Sequence, residues 1–151
     1  MIIQIRKSLR TLTLLDGDRA VFTCRAALGV QPEGPKRAEG DGRTPEGSYF
    51  ICLVKPEGKY GRSLGISYPS PKDAQLAYSE GRIDLRTLEN ICLAAAENRR
   101  PPWGSPMGGE VYIHEGGSCA DWTQGCVALD EKDMDILFAH HAQVTQVIIL
   151  P

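Results

Sequence analysis

The residue types best suited to covalent chemistry lie near the C-terminal end, where His114 and Cys126 bracket a polar loop. Val111-Tyr112-Ile113-His114 reads as a strand that His114 closes. Eleven loop residues, Glu115 to Gly125, then deliver Cys126 into a second apolar run, Val127-Ala128-Leu129. A histidine at a strand end and a cysteine on the returning loop can meet in space. Cysteine is mostly a thiol near neutral pH, and only its thiolate attacks a carbonyl well. His114 beside it would take the proton and later return one to a leaving amine. The attacked carbonyl becomes an oxyanion, for which the N–H groups of Gly125 and Cys126, with Gln124, are natural donors. Gly125 also lets the backbone approach closely, having no side chain in the way. No Asp or Asn stands at a spacing suited to orient His114, so a backbone carbonyl within Glu115–Ser118 is expected to do it.

The rest of the chain must position these two residues. Ile2 to Ile5 reads as a first strand. Leu9–Leu15 and Ala20–Leu28 flank Asp16-Gly17-Asp18, a turn signal that predicts a hairpin. Gly29 to Gly42 is a loop by composition, and Thr44-Pro45-Glu46-Gly47 turns the chain into one strand from Ser48 to Val54. Lys55–Arg62 is a turn region and Leu64–Tyr68 a short strand. Ser70-Pro71 caps a helix that Gly81 ends, and a second helix runs from Asp84 to about Asn98 before Pro101-Pro102. Asp130 is the expected N-cap of a third helix with Met134, Leu137 and Phe138 facing inward, and Val144–Leu150 closes the chain as a strand. These elements, with ten prolines and sixteen glycines, predict a mainly β domain over 1–151. The architecture expected is a β-sandwich or flattened barrel with two or three peripheral helices, and the helical insertion falls at about 70–100.

Composition removes several function classes. A net charge of −2 with no basic run argues against nucleic acid as a partner. No apolar run reaches membrane-spanning length. Met1–Leu15 is broken by Arg10, Thr11 and Thr13 and reads as no signal peptide. Five cysteines leave at least one unpaired in an oxidising compartment, and Cys126 is the candidate; most of Cys24, Cys52, Cys92 and Cys119 read as small core residues. A metal site from His114, Cys119, Cys126 and His140 or His141 is the rival reading. Its four-residue and six-residue gaps do not match a compact zinc knuckle, so no metal and no cofactor is expected.

The same residues carry a family resemblance. His114 followed by Thr123-x-Gly125-Cys126 resembles the His…[Ser/Thr]-x-Gly-Cys signature of the L,D-transpeptidase (YkuD-type) catalytic domain. Gly40-Asp41-Gly42-Arg43-Thr44-Pro45-Glu46-Gly47-Ser48-Tyr49 is similar to that family's upstream Thr-Pro-x-Gly segment, in the family's order. Many members place an arginine two residues after the cysteine, where this chain has Ala128, a wording closer to a branch that includes amide hydrolases.

The resemblance implies a peptidoglycan stem peptide as substrate, attacked after the L-centre of its third residue to give a thioester on Cys126. An amine acceptor then makes a crosslink, and water makes the enzyme an L,D-carboxypeptidase, endopeptidase or amidase, as an exported effector would be. A non-catalytic wall-binding module of the same fold is the remaining alternative. Stem peptides carry carboxylates, so Arg43 or Arg62 is expected to replace the missing arginine. Thr123, Gln124, Trp122, Tyr112 and Tyr68 are the expected substrate-binding residues, and carbapenems the β-lactams expected to acylate Cys126. The substrate places the protein, as a monomer, in the periplasm or cell wall.

Overall fold

The computed structural model describes residues 1–151. Nine strands and three α-helices follow in order: β1 (Ile2–Arg6), β2 (Thr11–Asp16), β3 (Arg19–Arg25), β4 (Gly47–Tyr49), β5 (Ile51–Lys55), β6 (Ser63–Ile66), α1 (Pro71–Ser79), α2 (Leu85–Ala96), β7 (Tyr112–Glu115), β8 (Val127–Leu129), α3 (Glu131–Ala139) and β9 (Gln146–Leu150). One sheet runs β3-β2-β1-β9-β4 and the other β5-β6-β7-β8. Both are mixed, because β1 pairs parallel with β9 and β7 parallel with β8. The fold is mainly β, two sheets facing across one apolar core to which both contribute, from Ile3, Leu12 and Ile149 to Leu64, Ile113 and Leu129.

Local sequence accounts for most of the elements. Asp16 pairs with Arg19, so Gly17-Asp18 is a two-residue hairpin loop, with Gly17 at φ 59°. Ser70 and Asp73 close a reciprocal capping box on α1 with Pro71 at its first position. Asp84 caps α2 by accepting from the Thr87 N–H. A smaller apolar cluster of Ala74, Ala77, Ile83, Ile91 and Met107 holds the two helices together between β6 and β7.

Three expectations change. The single strand expected over Ser48–Val54 is two strands in different sheets, broken at Phe50. The Phe50 N–H donates to Ser67 Oγ at 3.0 Å and its carbonyl accepts from Ser67 N–H at 2.9 Å, so both backbone groups are satisfied while the chain crosses the sandwich. Leu9, expected in a strand, is exposed in the turn before β2, where Arg10 takes a positive φ of 52°. Asp130 has the extended backbone of an N-cap but makes no capping bond. Its carboxylate instead accepts from Ser118 N–H and Oγ, tying α3 to the loop that carries Cys126.

Candidate active site

Strand pairing sets the geometry. In the parallel β7–β8 pair, Ile113 lies opposite Val127 and His114 opposite Ala128. Ile113 and Val127 point into the core, fully buried. Because side chains alternate, Tyr112, His114 and Cys126 share the other face. They line one open cleft of about 310 Å³, together with Lys55, Lys59, Tyr60 and Glu110.

The imidazole is held on three sides. Its Nδ1 contacts the Glu115 carbonyl, which can only accept, so Nδ1 carries the proton and Nε2 is the basic nitrogen. That carbonyl lies in the stretch expected to orient the ring. Tyr60 stacks on it at 4.7 Å and Trp122 meets it edge-on at 5.7 Å, with the indole N–H anchored on the Gly117 carbonyl. Burial pulls the His114 pKa below its ordinary value, against the raising effect of the Glu115 bond.

Cys126 Sγ accepts from the Tyr112 N–H at 3.4 Å and points its proton at the Glu110 carbonyl at 3.6 Å. Glu110 has φ 54°, an unusual left-handed conformation for this residue, and it sets that carbonyl beside the thiol. Burial pushes the Cys126 thiol up, opposed by the Tyr112 N–H and by the positive charge of Lys36. Both shifts favour the uncharged forms, a thiol at Cys126 and a neutral imidazole at His114.

The loop before Cys126 is tied down. Asp121 accepts from the Leu28 N–H and pairs with Arg10, both at 2.9 Å. Thr123, expected to bind substrate, is buried; its hydroxyl donates to the Cys126 carbonyl at 2.7 Å and accepts from the Gly125 N–H at 3.1 Å. That bond also removes Gly125 as an oxyanion donor, contrary to expectation. The N–H groups of Gln124 and Cys126 donate to no protein acceptor and are the ones left for that task. Gly125 is required for another reason. At φ 136°, a Cβ there would lie 2.6 Å from the Arg43 carbonyl, so the backbone it approaches is that of the upstream Thr-Pro segment.

The structure brings Tyr112 and Trp122 to the face of His114 and Cys126 but not Tyr68, Arg43 or Arg62, and the Gln124 side chain does not line the cleft. Tyr68 is fully buried and its hydroxyl donates to the Met107 carbonyl, so it belongs to the core. Arg43 sends its guanidinium toward Gly34. Arg62 is committed to Glu115 and Asp135. Ala128 is fully buried, hydrogen-bonded through both backbone groups to Ala27. The cations at the cleft are instead Lys55, 4.7 Å above the Tyr112 ring, and Lys59, 5.1 Å from that of Tyr60. Sequence reading passed over them as part of a turn, though two lysines and a tyrosine within one Gly-Pro loop were the available signal. No group of His, Cys, Asp and Glu is placed to hold a metal ion.

The model of the L,D-transpeptidase catalytic domain (YkuD) matches residues 1–149. The chain belongs to that family. Solved structures of similar fold include the helical cell shape determining protein Pgp2 (K307A mutant) from Campylobacter jejuni, at 22% identity and a TM-score of 0.68 over 98% of this chain and 46% of that one. The L,D-transpeptidase of Xylanimonas cellulosilytica DSM 15894 superposes at 14% identity and TM-score 0.55, over 98% of this chain and 59% of the other. The L,D-transpeptidase LdtMt1 in complex with imipenem gives 15% and 0.51, over 99% and 58%. The chain thus spans about half the length of the solved proteins it resembles. No curated protein matches it.

Proposed function

We propose that this L,D-transpeptidase-family domain is a cysteine acyltransferase acting on peptidoglycan stem peptides. The observation that supports it most is the placement of His114 and Cys126 on one face of a single cleft, with His114 Nδ1 held by a backbone carbonyl and Nε2 left basic. The thiol proton passes to Nε2 as sulfur bonds to the stem-peptide carbonyl carbon. The oxyanion is met by the N–H groups of Cys126 and Gln124. As the carbon–nitrogen bond breaks, the imidazolium returns its proton to the departing amine, leaving a thioester on Cys126. An acceptor amine then forms a new amide and frees the thiol; water instead releases the stem as a free carboxylate and frees the thiol. Lys55 and Lys59, which enter no salt bridge, would receive the carboxylates of the stem.

This substrate puts the working enzyme at the cell wall; no helix of the chain is long and apolar enough to cross a membrane. Incubation with purified muropeptides and mass analysis tests the reading, with crosslinked or trimmed stems expected. Loss of both products in Cys126→Ala ties them to the thioester. A protein that binds muropeptides and changes none of them is a wall-binding module, and the proposal fails. Imipenem is bound by LdtMt1. A single carbapenem adduct on Cys126 is the matching expectation here, absent in Cys126→Ser.

A further inference from the structure

The Cys126 thiol faces several ionisable groups. From β7 come His114 and Tyr112, from the turn before it Glu110, and from β5 and the following loop Lys55, Lys59 and Tyr60. One more charge lies on the far side of the loop, outside the cleft. Lys36 keeps only 5% of its side chain exposed, and its ammonium donates to the Ala38 carbonyl at 3.1 Å and to Asp41 Oδ1 at 3.0 Å. The same nitrogen lies 3.6 Å from where a Cβ on Gly125 would stand, against the backbone just before the nucleophile. A buried ammonium is costly, and one carboxylate partner offsets the cost only in part.

The turn around Lys36 has other bonds besides those to its ammonium. Asp41 accepts from the N–H groups of Arg37, Ala38 and Arg43 at 2.7, 3.0 and 3.1 Å. Burial alone would raise the Asp41 carboxyl, but those bonds and Lys36 hold it below its ordinary value. Ala128, opposite His114 in the sheet, is fully buried and brings no charge to the site. Lys36 supplies a fixed positive charge from behind.

We propose that Lys36 is a positioning residue of the acyl-transfer site, its buried ammonium stabilising through Gly125 the negative charge that forms first on the Cys126 sulfur and then on the oxyanion. The inference rests on Cys126 being the nucleophile of the proposed reaction. The charge acts across a low-dielectric wall, where little solvent screens it. It moves no proton and touches no substrate. Its own field is partly cancelled by Asp41, so the two members of this ion pair must act on the thiol with opposite sign.

That opposition gives the test. The rate of Cys126 alkylation by iodoacetamide is measured against pH, without any peptidoglycan, in Cys24/Cys52/Cys92/Cys119-quantified peptide maps. Removing the cation in Lys36→Met is expected to slow alkylation at neutral pH about tenfold and move its midpoint to higher pH, since less thiolate forms. Removing the anion in Asp41→Asn is expected to speed alkylation and move the midpoint down. Lys36→Arg should stay within about twofold of wild type, since it keeps the charge. A purely structural ion pair predicts shifts in the same direction for both losses, and that result overturns the proposal, as does an unmoved midpoint in Lys36→Met. Should Lys36→Met fail to fold, Asp41→Asn decides alone: an upward or absent shift rejects the role. Muropeptide turnover run in parallel separates the two claims. Opposite shifts with no turnover would reject the enzymatic reading of the site and leave the electrostatic one standing.

Discussion

Asp41–Gly47 and Lys55–Tyr60 are both short loops rich in Gly, Pro and charge, and both lie close to Cys126. In the first, the polar groups other than the Arg43 guanidinium find partners within the protein. Thr44 Oγ1 accepts from the Gly29 N–H, the Thr44 carbonyl and Glu46 receive the buried Lys7 ammonium, and Asp41 collects three N–H groups and Lys36. In the second, the charges are left open: Lys55 and Lys59 lie over the tyrosines of the cleft and pair with no acid. The first loop carries the legible motif and holds the backbone of Gly125. The second carries no motif and presents charge to whatever enters. A recognisable motif here marks what must be rigid, and an unremarkable loop supplies what a ligand meets.

Five measurements break or sharpen that contrast. The largest effect belongs to the proposed dyad, His114 and Cys126. Cys126→Ala should abolish turnover and His114→Gln lower it about 10²–10⁴-fold, with thermal midpoints close to wild type. Unfolding by either variant would mean the pair is structural. Next is the contact between the braced loop and the nucleophile loop. Gly125→Ala places a Cβ 2.6 Å from the Arg43 carbonyl at φ 136°, and should cost about 2–3 kcal/mol in urea unfolding along with most activity.

Thr123 sharpens the same contrast at smaller scale. Thr123→Val keeps the shape but strands the Gly125 N–H and Cys126 carbonyl, for about 1–3 kcal/mol, whereas Thr123→Ser should keep both bonds. Equal losses in Ser and Val would show the methyl, not the hydroxyl, to matter. On the open side, Lys55→Gln and Lys59→Gln should leave stability within about 0.5–1 kcal/mol, the scale of an exposed cation–π contact. Their effect should be a few-fold rise in KM for stems with free carboxylates, shrinking when the carboxylate is amidated. A kcat loss at unchanged KM would remove these lysines from recognition. The smallest effect expected is in the pH profile. Burial lowers the His114 pKa, so the imidazole stays a competent base further into acid; the acid limb of kcat/KM should fall below the ordinary histidine range. An acid limb above that range would mean the ring is charged at rest and the neutral-dyad account is wrong.

Much of the fold was readable because its signals are local. Gly17-Asp18 turns a hairpin by its own backbone preferences, Ser70-Pro71 starts a helix within four residues, and alternation in Tyr112–His114 sends Ile113 inward. That His114 and Cys126 fall on one face was readable for the same reason, a strand end and a Gly-Cys turn being recognisable without the rest of the chain. The family wording added the upstream motif but not what it does.

What the sequence by itself could determine was therefore where most strands and turns, and the side chains of His114 and Cys126, fall. What only the tertiary structure decided was which polar groups find partners. Lys7 reaches Thr44, Arg10 reaches Asp121, and Arg62 reaches Glu115 across long stretches of chain. No spacing rule reports such pairings. They withdraw Arg62 from the cleft, as packing toward Gly34 withdraws Arg43, burial withdraws Tyr68 and the Thr123 hydroxyl withdraws the Gly125 N–H. The physical reason is that backbone preference acts over a few residues, whereas a buried polar group must be satisfied by whatever the folded chain brings within about 3 Å of it.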